Sequence, residues 1–123
     1  MLFISSAANQ KIGFPMIDWD RVAELRDEIG AEDLATVIEM FLEEVAEKLQ
    51  EVVGGSSKAS LSEDMHFLRS SALNIGFVEL AKMCATVEDK ADTGHLNADI
   101  TAISACYDAS AKELREHEGI RAT

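Results

Sequence analysis

Proline occurs once in this chain, at Pro15, so no proline beyond that point interrupts a helix. Cysteine occurs twice, at Cys84 and Cys106, without CxxC spacing, so neither a disulfide framework nor a zinc site is indicated and a reducing compartment is expected. Aromatic residues are 6% of the 123 residues, and no stretch alternates with period two long enough to build a sheet. Cations are scarce too: 11 Lys and Arg against 23 Asp and Glu leave a net charge of −12. Such a surface has few cations to displace counterions, which argues against nucleic acid or an anionic membrane as partner. It favours a partner with a basic rim. Long apolar runs are missing, and no segment approaches a membrane span. The opening MLFISSAANQK has no basic region and too short an apolar run for a signal peptide, so a cytoplasmic protein is expected.

What is present is a chain that is 47% apolar and long enough for one domain around one core. Residues 1–15 show no clear period and are read as an N-terminal arm; residues 16–123 are read as the domain. Asp18 can cap a short helix carrying Trp19, Val22, Leu25 and Ile29, with Gly30 as its stop. A longer helix follows to about Val53, with the stripe Leu34, Val37, Ile38, Phe41, Val45, Leu49 and Val52. GGSS at 54–57 breaks it. Ser60 with Glu63 is a capping-box pattern that starts a third helix, and Gly76 is its stop. A fourth helix carries Phe77, Leu80, Ala81, Cys84, Val87 and Ala91. DTGHLN at 92–97 is a loop, with Asn97 capping a last helix that carries Ile100, Ile103, Tyr107, Ala111 and Leu114. Four long amphipathic helices joined by short loops predict an all-α fold, an antiparallel up-down four-helix bundle with a short extra N-terminal helix.

One of the three histidines stands out. At about 100° per residue, Leu61, Met65, Leu68, Ala72 and Ile75 share a sector about 80° wide, and His66 lies roughly 140° from its centre. His66 therefore faces solvent. Ser70 and Leu73 share its face, and Arg69 sits on its flank. A neutral imidazole is a good nucleophile near pH 7, its unperturbed pKa being about 6.5. Arg69 can pair with phosphate oxygens, Ser70 is small enough to let a partner approach, and Leu73 offers an apolar docking point. The remaining residues have plainer readings. A lone exposed histidine is most often just surface, and Lys82 by default is a surface lysine. His95 is a loop residue and His117 a cation favourable to its helix dipole. Cys84 is an inert core thiol. Glu43, Glu44 and Glu47 form a solvated face, and Gly54-Gly55 is a turn rather than a nucleotide loop.

The run His66-Phe67-Leu68-Arg69-Ser70-Ser71-Ala72-Leu73-Asn74-Ile75-Gly76, followed by Leu80, Cys84 and Glu88, resembles the signature of histidine-containing phosphotransfer (HPt) domains. The resemblance extends in architecture from about residue 17 to 118. It implies a phosphorelay intermediate of bacterial two-component signalling, with His66 as the phosphoacceptor through Nε2. The partners it implies are response-regulator receiver domains, with a hybrid histidine kinase as a further candidate. Arg69 stands where the family has lysine and would stabilise phosphate charge. Ser70 stands where glycine is usual, and with Leu73 and Lys82 would contribute to docking. Phosphoryl transfer needs positioning and charge neutralisation more than acid–base groups, and the receiver would bring Mg²⁺ and its acidic pocket. The chain is thus expected to be a monomeric phosphoryl carrier rather than an enzyme, with no cofactor or metal of its own.

Three rivals compete with this reading. HFLRSS shares histidine, leucine and arginine with a histidine-kinase dimerisation helix, but lacks the acidic residue and the proline of that box. Glu63-x-x-His66 has the spacing of a di-iron bundle, but the second such pair, Asp92 and His95, falls in a loop, and Glu63 and His66 face away from the predicted core. The third is a helical-bundle interaction module that docks on a receiver or kinase without being phosphorylated.

Overall fold

The computed structural model describes residues 16–91 and 96–119. The described residues form five helices and no strand: α1 Trp19–Ile29, α2 Ala31–Gly54, α3 Leu61–Ile75, α4 Val78–Asp89 and α5 Asn97–Glu118. Helices α2 to α5 make the up-down bundle and α1 packs on α2 and α3, as the periodicity predicts. The expected arm at 1–15 and His95 lie outside the described residues.

The helix ends follow their local chemistry. The Asp18 side chain accepts from the amides of Asp20 and Arg21 at the start of α1. The capping box that opens α3 is complete: Ser60 Oγ accepts from Glu63 N, and Glu63 Oε1 accepts from Ser60 N. The Ser60 amide holds the Glu63 carboxyl below its ordinary range, so Glu63 is committed to the cap rather than to His66. Two boundaries differ from expectation. Phe77 occupies the cap position of α4, which ends at Asp89, short of Ala91. Leu96, not Asn97, stands at the cap of α5, and no side chain caps it; Asn97 is already its first helical residue.

The core is drawn from one face of each bundle helix. Ile38, Leu42 and Val45 of α2 meet Met65, Leu68, Ala72 and Ile75 of α3, Leu80, Cys84 and Val87 of α4, and Ile103, Tyr107 and Leu114 of α5. A fully buried Leu or Ile side chain stabilises by about 1.5–3 kcal/mol, so this shared face fixes the rotation of α3. Leu42, absent from the expected stripe, is buried at 1%, whereas its predicted neighbour Phe41 only packs at the margin. Two adjacent apolar residues differ by one helical step, and the packing of the bundle turns Leu42 inward; Tyr107 of α5 donates its hydroxyl to the Leu42 carbonyl at 2.8 Å. Among the described residues no helix is long and apolar enough to cross a membrane.

Gly76 ends α3 and anchors α1. Its φ of 86° is left-handed, and a Cβ there would stand 2.9 Å from the Asp18 carbonyl oxygen. Its own carbonyl accepts from Asp18 N at 2.7 Å, and Arg21 Nε donates to the neighbouring Asn74 carbonyl at 3.0 Å. The start of α1 is thereby fastened to the α3–α4 turn. Trp19, the first residue of α1, lies against His117 in the last turn of α5, with ring centroids 4.0 Å apart. His117, expected to be a simple dipole partner, is part of an interhelical contact.

Candidate functional site

The burial of Met65, Leu68, Ala72 and Ile75 turns the opposite face of α3 outward. His66 stands on that face with its side chain 61% exposed, as the wheel predicts. Ser70 is exposed four residues on, and Leu73 is 48% exposed three further. Phe67, beside the histidine, is also exposed, at 40%; it was overlooked because its apolar character reads as core.

The short turn after α3 folds α4 back beside it, and this brings Glu88 to the histidine. His66 Nδ1 lies 3.1 Å from Arg69 Nη2 and 3.7 Å from Glu88 Oε2. Arg69 Nε lies 3.4 Å from Glu88 Oε1. The three side chains form a closed cluster in which both neighbours address the same ring nitrogen. Nε2, at the opposite edge of the ring, is the nitrogen left for a partner. Arg69 is on the flank of the histidine, where its spacing put it. Glu88 was noticed only as part of a motif, and its place in the cluster depends on how α4 packs. Lys82 is exposed on α4, and the contacts that join His66, Arg69 and Glu88 do not involve it.

A second brace lies on the α2 side of α3. Asp64 is only 3% exposed, and Lys48 Nζ reaches its Oδ1 at 3.1 Å and Glu51 Oε1 at 3.0 Å. The Lys48 ammonium also stands 5.6 Å from the centre of the Phe67 ring. Hydrogen bonds that it donates to Glu51 and then Asp64 raise its pKa above the ordinary value. This lysine joins α2 to α3 beside the histidine and steadies Phe67. The two cysteines take no part. Cys84 is buried in the core, and burial pushes its thiol up to about 12, too high for a reactive thiolate.

An exposed imidazole with a cation at its side is suited to carrying a phosphoryl group. No curated protein and no solved structure matches the chain. The family model that does match is that of the Hpt domain, over residues 36–117, from the second turn of α2 into the last turn of α5. That span contains His66, Arg69 and Glu88 and leaves α1 outside, and the chain belongs to the Hpt domain family, whose role is histidine phosphotransfer in two-component signalling.

Proposed function

We propose that this chain is the phosphoryl carrier of a bacterial two-component phosphorelay, working as a cytoplasmic monomer. His66 takes a phosphoryl group from the aspartyl phosphate of one receiver domain and gives it to the aspartate of another. The observation that supports this best is the exposed His66 ring, with Nδ1 turned to Arg69 and Glu88 and Nε2 open to a partner.

The chemistry balances simply. The Nε2 lone pair attacks phosphorus, the phosphorus–oxygen bond to the receiver aspartate breaks, and its electron pair stays on the carboxylate. The phosphorylated ring keeps its proton on Nδ1, where the Glu88 carboxylate can accept from it. The Arg69 guanidinium offsets the charge on the phosphoryl oxygens. The receiver supplies the aspartyl phosphate and its metal, so the transfer machinery is largely the partner's. Ser70, Leu73 and Lys82 are proposed as docking residues, with Phe67 added to them from its exposure.

The test is incubation with a panel of phosphorylated receiver domains, comparing the wild type with His66→Gln. Acid-labile, base-stable label on the wild type alone supports the carrier role and the site. Label that persists in His66→Gln moves the site elsewhere. Absence of label from every receiver favours the unphosphorylated interaction module, and Ser70→Gly then asks whether the serine obstructs transfer.

A further inference from the structure

Arg69 and Glu88 make opposite demands on one atom. A guanidinium only donates hydrogen bonds and a carboxylate only accepts them. The 3.1 Å contact from Arg69 Nη2 therefore needs a lone pair on His66 Nδ1. A neutral imidazole with a lone pair on Nδ1 carries its proton on Nε2. Nε2 then has no in-plane lone pair to offer, although it is the outward nitrogen. Glu88 Oε2, 3.7 Å from Nδ1, would favour the other tautomer, with the proton on Nδ1 and the lone pair on Nε2. At these distances Arg69 holds the ring.

The grip is also releasable. Arg69 Nε is buried, is without a hydrogen-bond partner and has only the Glu88 carboxylate at 3.4 Å. An incoming phosphoryl group offers three oxygens to a guanidinium whose hydrogen bonding is incomplete. The fork of arginine also matters. Its Nε faces Glu88 while its Nη2 faces Nδ1, a two-point arrangement that a single ammonium does not reproduce.

The geometry points to Arg69 as a tautomer gate on His66, an inference that rests on His66 being the phosphoacceptor. In the free protein Arg69 keeps the ring as the Nε2–H form, which cannot attack through Nε2. When the guanidinium turns to a docked phosphoryl group, Nδ1 is released to Glu88. The ring then loses its Nε2 proton to water and takes one from water on Nδ1, with no net change in charge. The share of the ring with a free Nε2 lone pair rises when there is a phosphoryl group to receive. Arg69 and Glu88 are positioning residues of opposite sign in this scheme.

The experiment is ¹⁵N NMR of the His66 ring in the free full chain, at a pH where the ring is neutral. Wild type is expected to show the Nε2–H form. Arg69→Ala is expected to lower the ratio of Nε2–H to Nδ1–H about tenfold, the worth of one charge-assisted hydrogen bond. Glu88→Ala is expected to raise that ratio, because the carboxylate that favours the Nδ1–H form is gone. A merely structural role for the two residues would not move the ratio in opposite directions. Arg69→Met, which keeps the aliphatic stem, serves if the alanine variant loses helicity by circular dichroism. An Nδ1–H ring in the wild type, or an unchanged ratio on removing Arg69, overturns the gate. Neither result depends on a receiver. A gate that fails while His66 still takes label leaves the relay intact, and a protein that takes no label with the tautomers as described loses the relay alone.

Discussion

His66 and His117 each sit with one arginine and one glutamate, and the two clusters do different work. At the α3–α4 face the arginine addresses the imidazole itself, and the Arg69–Glu88 pair is loose at 3.4 Å. At the α1–α5 contact the pairing is reversed in emphasis. Arg26 Nη2 reaches both oxygens of Glu118 at 2.6 Å, His117 Nδ1 also reaches Glu118 at 2.8 Å, and the His117 ring lies against Trp19. Glu118 is 10% exposed and Glu88 is 25% exposed. A half-buried carboxylate gripped from two sides, with an imidazole against an indole, is a fastening. An open imidazole with an unsettled arginine beside it is a place where a ligand can rearrange the contacts. Residue type does not separate an open cluster from a fastening; burial and the completeness of hydrogen bonding do.

The contrast breaks most visibly in a labelling assay. His66→Gln is expected to abolish phosphorylation with a change in stability within about 0.5 kcal/mol, as for exposed surface substitutions. His117→Gln is expected to leave labelling intact and to alter the emission of Trp19, the only tryptophan. Loss of label from both variants would show that the α1 contact also governs the site. Next in size is Gly76→Ala, which forces a left-handed backbone and a close approach to Asp18. It is expected to cost about 1–3 kcal/mol in urea denaturation. A neutral result would mean that α1 is not fastened there.

Smaller effects sharpen the comparison. Glu88→Ala is expected to slow phosphorylation of His66 about tenfold, the equivalent of one hydrogen bond, with little change in the urea midpoint. Glu118→Ala should do the reverse, lowering the midpoint by less than Gly76→Ala does and leaving the transfer rate alone. Acid distinguishes the clusters as well. Burial would push the Glu118 carboxyl up, but hydrogen bonds from Arg26 and His117, with their charges, more than offset this and hold it below the usual carboxylate range. A depressed folded pKa means that the stabilisation is present above the unfolded value, about 4.3, and is lost as pH falls through the lower folded value. Trp19 fluorescence should therefore change as pH falls below the ordinary carboxylate range, in the wild type but not in Glu118→Ala.

Much of the molecule was open to reading in one dimension. Ser60 and Glu63 make a box that depends only on residues three apart, and Gly76 stops a helix for reasons of its own backbone. The exposure of His66 followed from the same periodicity, because Met65, Leu68, Ala72 and Ile75 leave only one face for it. The burial of Leu42 and the Trp19 contact of His117 were missed because each depends on a helix distant in the chain, whereas at the start of α5 a buried Leu96 takes the cap position expected of its neighbour Asn97.

The site divides along the same line. By itself the sequence determined the bundle, the outward histidine and the arginine one turn on, since these rest on helical spacing and apolar pattern. Only the tertiary structure decided that Glu88, on another helix, would address the same nitrogen as Arg69, and that Lys48 would meet Asp64 beside Phe67. Those pairings require the turn at Gly76 and the packing of α4 and α2 against α3, which bring together charges that chain spacing alone cannot locate in space.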